Sequence, residues 1–313
     1  MTKISLEKAA RPRITRERLK SRYLPLYIMI VPVLLYYVIM VYKPMAGLVI
    51  AFQDYNVFRG IEGSEWVGFK HFINFFKTPT VGRLFRNTIM LNIWNLIFTF
   101  PAPIIFALLL NEVKSARLKK SIQTLTYMPH FISTVVAAGI IINMLAPGYG
   151  IITQFAKWLT GKDFFFATMP EAFRPTYIGL HLWKELGYSS IVYLSAIAGV
   201  DAELHEAAYI EGSNKLRRIW HVTIPGIAPT IITLFIMKMG SLLASGTETI
   251  ILLYQPATYE VSDVIGTYVY RYGLVEGNYS FSTAIGIFNS IISLILVAST
   301  NFISNKVTKV GLW

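Results

Sequence analysis

His205 and Glu206 stand together as they do at the start of a zinc-protease helix, where two histidines four residues apart hold the metal and the glutamate is the base. Tyr209 occupies the second histidine position, so that site is one ligand short. Gly161-Lys162 is the one Gly-Lys pair. A phosphate-binding loop would need a glycine where Ala156 stands and a Ser or Thr where Asp163 stands. With five histidines and no cysteine there is no metal constellation and no thiolate chemistry. A Gly-x-Ser-x-Gly elbow is also missing. The expectation is a chain with no catalytic residue, metal or cofactor of its own, and no ATP hydrolysis by itself.

The remaining candidates are charges inside apolar stretches. Such charges are expensive in a membrane and mark pathways or buried pairs. Lys184 and Glu185 lie in one stretch, Lys238 and Glu248 in another. At about 1.5 Å rise per residue, Lys184 would be about 12 Å below the outer end of its helix and Glu248 about 8 Å below the end of its own, which permits a pair between them. Structural pairing and pathway lining both remain open. Asn92, Trp94, Asn95, Trp183 and Tyr188 are further polar or aromatic positions, each accounted for by packing when taken alone.

Long apolar elements must hold these residues. The chain is 54% hydrophobic, 15% charged and 14% aromatic, and apolar runs of about 20 residues cross a bilayer core. Six spans are expected, near 26–52, 88–110, 122–145, 176–200, 227–253 and 284–302, with Pro44 bending the first, Pro101 and Pro103 interrupting the second and Pro129 inside the third. The net charge of +12 does not argue for nucleic acid, because the basic residues flank spans. Eight of them precede Leu24, where the long apolar run and the lack of a small-residue cleavage site favour a retained first span over a signal peptide. Segments assigned inside carry 17 Lys and Arg, those assigned outside 9, so the positive-inside rule orients both termini in the cytoplasm. The division is then a basic N-terminal segment over 1–25, a membrane domain over 26–305 with a cytoplasmic loop at 201–225, and a tail over 306–313. Outer aromatics, Trp66 to Phe72 and Trp158 with Phe164 to Phe166, suit interfacial anchors or a docking surface.

The loop at 201–225 is the most specific stretch. Asp201 is a good N-cap for a helix from Ala202. Leu204, Ala207, Ala208 and Glu211 then share a face whose two alanines allow close approach by another backbone. Gly212 suits the helix end. A second short helix has Leu216, Ile219 and Trp220 on one side and Lys215, Arg217 and Arg218 on the other, and Pro225 is expected to close it. Glu206, Ala207, Ala208, Gly212 and Pro225 match in type and spacing the Glu-Ala-Ala loop of permease subunits of binding-protein-dependent ABC importers, with Val222 and Ile224 as mild departures. The chain resembles that family over nearly its whole length. Its carbohydrate-uptake branch, the permeases associated with polysaccharide-binding lipoproteins, is resembled through Leu108–Val113, Gln123–His130, Ala198–Asp201, Tyr254–Val261 and Gly311–Trp313.

That resemblance implies an all-α, six-helix type I importer (MetI-like) fold in a bacterial cell membrane, N-in and C-in. It implies a second, non-identical permease, two ATP-binding cassette ATPases and an extracytoplasmic substrate-binding protein as partners, besides membrane lipid. The Glu206 loop would be the coupling helix seated on an ATPase, and an oligosaccharide the cargo. A permease for peptides or other organic solutes, and a channel or receptor-like membrane protein without an ATPase, are the alternatives. For an oligosaccharide path, aromatic platforms and amides are wanted. Trp183, Tyr188, Glu248 and Asn289 supply them. Trp183 and Glu185 cannot share a helix face at i, i+2, and Trp183 is the expected path residue of the two.

Overall fold

The computed structural model describes residues 16–243 and 246–312, with side chains from residue 23 onward. Lys3, Lys8, Arg11 and Arg13 of the basic leader, and Trp313, lie outside the described residues. Helix α1 (Arg16–Tyr36) runs on through a π-helical stretch and a 3₁₀ stretch to Phe52. Tyr23–Phe52 is apolar apart from Lys43, and its side chains before Ala46 are exposed, so among the described residues only the 3₁₀ end finds packing partners. A short antiparallel pair follows, β1 (Gln53–Asp54) with β2 (Glu65–Trp66), and then helix α2 (Lys70–Lys77).

Helices α3 (Val81–Thr99) and α4 (Pro101–Asn111) form one span of 31 residues. Pro101 takes the first position of α4, where a missing N–H leaves no bond unmade. The third expected span is not straight. Helix α5 (Ala116–Tyr127), its 3₁₀ extension over Met128–Phe131 and helix α6 (Thr134–Met144) meet at a bend of 103°. Pro129 removes a helical donor, and the Ser133 hydroxyl accepts from Val136 N–H to start α6 in a new direction. Helix α7 (Ile151–Thr160) ends at Gly161, which is left-handed.

Helix α8 (Pro170–Ala198), of 29 residues, is the centre of the molecule and packs against α3, α4 and α5. Gly187 lets it cross α5 closely: a Cβ there would sit on the Thr126 carbonyl. Helix α9 (Ala202–Ile210) and helix α10 (Lys215–Arg218) form the loop beyond it. The fifth expected span is corrected at both ends. Pro225 does not close α10. A π-helical turn over Ile219–Thr223 joins it to helix α11 (Ile224–Gly240), and the run Lys215–Gly240 is continuous. Widening the turn accommodates the proline that an α-helical turn would reject. The run then stops at Gly240, and helix α12 (Thr247–Leu253) is separate, entered through Gly246 at φ 83°. Glu248 therefore opens α12 and does not share a helix with Lys238.

Helices α13 (Tyr259–Ser262) and α14 (Ile265–Tyr270) precede helix α15 (Tyr279–Thr308). Among the described residues, four runs are long and apolar enough to cross a membrane, or five if the bent α5–α6 pair counts as one. Helix α8 is equally long, but Glu171, Arg174, Lys184 and Glu185 lower its apolar character.

Three apolar clusters hold the fold. One joins Leu91, Ala137, Tyr177, Leu180 and Ile250 across α3, α6, α8 and α12. A second joins Phe75, Leu84, Ile265 and Phe281. The third, Ala107, Tyr193, Ile197 and Ile227, clamps α4, α8 and α11 just behind the 201–225 loop. At the opposite end, Asn87 Nδ2 donates to the carbonyls of Glu260 and Asp263, and the buried Asp263 carboxylate accepts from Thr267 Oγ1 and Arg271. Arg86 donates to Glu260 at 2.6 Å and holds that exposed carboxyl below its ordinary pKa.

Candidate functional site

Each joint of the 201–225 loop is specified by one residue. The Asp201 carboxylate accepts from Glu203 N–H at 2.9 Å and starts α9. Gly212 adopts φ 78°. Its N–H donates to Tyr209 O, and Ser213 N–H to Ala208 O, the double closure that a left-handed glycine makes possible. Asn214 then caps α10 by accepting from Arg217 N–H. The expected helix, cap and turn are all present.

Two contacts on the loop were not legible in the sequence. The Arg218 guanidinium lies 5.4 Å from the centre of the Tyr209 ring and donates to Ser213 O, which staples α10 to the end of α9. Lys215 Nζ lies 2.9 Å from Glu112 Oε2, tying the loop to the end of α4. The first spans a turn and the second joins distant parts of the chain, and no fixed sequence period announces either.

The loop encloses one side of an open cavity of ≈ 490 Å³, with Glu206, Tyr209 and Lys215 on its wall and Leu108 behind. Leu204, Tyr209, Ile210, Leu216 and Trp220 are exposed, Ile210 at 84%. Glu206 and Ala207 are exposed and Ala208 is half-buried. This is a surface of apolar knobs around a charged notch, and none of the described residues covers it. Exposed apolar area of this kind marks a protein contact.

A second open cavity, ≈ 570 Å³, lies between α4, α8 and α11. Its wall is mainly apolar, with the Thr99, Ser189 and Ser241 hydroxyls, Tyr188, His130, Glu185 and Lys238 as its polar groups. His130 and Tyr188 are stacked, ring centres 3.7 Å apart and planes 2° apart, and His130 Nδ1 lies 3.1 Å from Glu185 Oε2. A smaller space of ≈ 190 Å³ on the other side of Glu185 holds Lys184 and Glu248. Lys184 Nζ donates to Thr134 Oγ1 at 2.9 Å. Among the described residues no ion pair joins Lys184 to Glu248.

Of the four path candidates, Tyr188 lines the larger cavity and Glu248 the smaller. Trp183 lines neither, and Glu185, two residues on, lines both. The i, i+2 spacing separates the pair as expected, but it is Glu185 that faces inward. Asn289 is also outside both walls; its Oδ1 is buried without a hydrogen-bond partner among the described residues. His130 is a wall residue that the sequence offers only as the end of the Gln123–His130 stretch, because a lone histidine after a proline carries no chemical pattern.

The profile of the family described as "Binding-protein-dependent transport system inner membrane component" matches residues 85–309. The polygalacturonan/rhamnogalacturonan transport system permease protein YteP of Bacillus subtilis (strain 168) is 43% identical, covering 99% of this chain and 96% of its own. Protein LplB of the same organism is also 43% identical, over 92% of this chain and 91% of its own. Among solved structures, a crystal structure of a bacterial ABC transporter involved in the import of the acidic polysaccharide alginate contains a chain 41% identical to this one, with a TM-score of 0.86 over 92% of this chain and 98% of that chain. A second crystal structure shows the bacterial alginate ABC transporter in complex with an alginate pentasaccharide-bound periplasmic protein, again at 41% identity and a TM-score of 0.86.

Proposed function

Since the chain belongs to the family of binding-protein-dependent transport system inner membrane components, we propose that it is a membrane permease subunit importing oligosaccharides or polysaccharide fragments, driven by ATPases on separate chains. The observation that carries this is the uncovered surface of the 201–225 loop, with a cap at each joint and Glu206 in its notch. A surface built this rigidly and left exposed is a seat for a partner. The partner is an ATP-binding cassette ATPase, and α9 is the coupling helix. The chain supplies no ATPase site.

The full reading has six crossings, with α8 as the crossing that composition undercounts, and with both termini and the 201–225 loop in the cytoplasm. The basic segment over 1–25, the membrane domain over 26–305 and the tail over 306–313 follow from it. Because one chain offers one such loop, a second, non-identical permease completes the assembly, and a substrate-binding protein delivers cargo from outside. ATPase closure and cargo binding are coupled only if the permease binds each partner differently in its inward-open and outward-open states.

The test is reconstitution. This chain with a second permease, the ATPase and a loaded binding protein should hydrolyse ATP faster when an oligosaccharide is added. Stimulation by peptides and not by sugars would establish the alternative cargo, and failure of any ATPase to co-purify would leave a channel. Full transport by this chain and ATPase alone would show that two identical permeases suffice.

A further inference from the structure

Oligosaccharides differ most sharply in whether they carry carboxylates. The larger cavity bears on that choice through the balance of its charges. Its one carboxylate, Glu185, is engaged by His130 at 3.1 Å. Its ammonium, Lys238, has no counterpart: among the described residues no carboxylate lies within 4.0 Å of Lys238 Nζ, and no side-chain hydrogen bond holds it. The Lys184 ammonium, on the other side of α8, is occupied with Thr134. A cation kept at such a place inside a membrane helix requires a partner, and this cavity leaves it one to be brought in.

The rest of the wall suits a sugar ring. Tyr188 is 42% exposed and is backed by the imidazole of His130 stacked on its other face. It presents an aromatic platform whose orientation is already fixed. Thr99, Ser189 and Ser241 bring hydroxyls to the same wall. The volume of ≈ 570 Å³ falls within the range of small-ligand sites.

We infer that this cavity receives a uronic-acid residue of the cargo, its ring beside Tyr188 and its carboxylate at Lys238. The inference rests on the importer reading; an acidic cargo is what the names of two similar transporters carry, and what the geometry adds is the cavity that receives the uronate and the residue that sets the preference. Lys238 is a specificity residue here and takes part in no bond-making step.

The experiment uses the complete importer in detergent, without the binding protein so that its own preference does not enter. The probes are trigalacturonate and the fully methyl-esterified trimer, which has the same rings and no charge. Equilibrium binding by the wild-type complex should favour the acid by about tenfold, and raising the salt concentration should shrink the preference. Lys238→Gln should bind both probes alike, and Lys238→Arg should keep the preference. Equal binding of the two probes by the wild-type complex overturns the inference, as does a preference that survives in Lys238→Gln. If Lys238→Gln fails to assemble, Lys238→Met is substituted. Should that variant also fail while Lys238→Arg assembles and binds the two probes alike, Lys238 is a structural cation paired with another subunit, and the inference falls. The importer reading is read out separately. ATP hydrolysis stimulated by a loaded binding protein, in a complex that shows no charge preference, removes the uronate assignment alone. No stimulation by any oligosaccharide, acid or ester, removes both.

Discussion

Gly187 of α8 faces the carbonyl of Thr126 on α5 with no room between them for a methyl group. Two helices that cross this closely gain contact along their backbones, the device by which small residues hold membrane helices together. The crossing also places His130, three residues beyond Tyr127 at the end of α5, over the Tyr188 ring. Gly187→Ala should cost about 1–3 kcal/mol, the usual range for overpacking, and should lower the thermal stability of the purified complex. Because the shift separates His130 from Tyr188, cargo affinity should fall too. Unchanged stability would mean that the two helices tolerate a wider crossing.

The 201–225 loop gives the second prediction. Gly212 at φ 78° is in the region that L residues avoid at about 1–2 kcal/mol. Gly212→Asp strains the turn and adds a charge beside the exposed face. Glu206→Lys reverses the charge in the notch. Both variants should insert normally and should lose ATPase association or show ATP hydrolysis uncoupled from uptake. Normal transport by both would remove this loop from the ATPase contact.

Orientation is checked by reporter fusions. Fusions after Lys120 and Lys215 should report a cytoplasmic location, and one after Lys162 an external one, as the 17 to 9 charge split requires. An external signal at Lys215 would reverse the assignment of the loop.

The long apolar helices at 23–52, 81–111 and 279–308 were legible because an apolar run of bilayer length is seldom stable anywhere but in a membrane. Their interruptions were not. Pro129 signalled a kink, yet a bend of 103° depends on Ser133 capping a new helix, and serine is common in many other settings. The end of the fifth span at Gly240 lay hidden because Leu242 and Leu243 continue the apolar composition beyond it. The loop was legible in detail for a different reason. Asp201, Gly212 and Asn214 act through their own backbone neighbours, and local geometry needs no tertiary information. Which of Trp183 and Glu185 faces inward depends on the rotation of α8, which is set by Gly187 against α5 and by the clusters around Tyr177 and Tyr193.

The facing of α8 leads to a fourth prediction. An aromatic contact contributes about 0.5–1.5 kcal/mol beyond its area, which is about 2- to 10-fold in affinity. Tyr188→Ala should raise the oligosaccharide concentration for half-maximal uptake by that factor with assembly intact. Trp183→Ala should leave it unchanged. The reverse result would mean that the path runs along the other face of α8.

The last prediction concerns the ion network around Glu260. Arg86 lowers the Glu260 pKa, so the stabilising contribution is fully present above the unfolded carboxyl value of about 4.3 and is lost as pH falls through the lower folded value. Amide exchange over residues 254–264 should therefore quicken below about pH 4 in the wild type. In Glu260→Gln it should already be faster at pH 7, and the acid-induced step should be smaller. Identical profiles for the two would show that the Arg86 contact orders nothing.

The continuous run from Lys215 to Gly240 makes the two ends of the molecule mechanically one piece. At about 1.5 Å per residue, Lys215 and Lys238 are joined by a strut about 35 Å long. The other exit from the loop, through Gly199, Val200 and Asp201 into α8, is non-helical. In the importer reading, a movement of the loop reaches α11 along a helical member and α8 only across a non-helical link. What slack the strut possesses is gathered in the wide turn at Ile219–Thr223, so the compliance of a single turn fixes how much of a stroke at the loop arrives at Lys238.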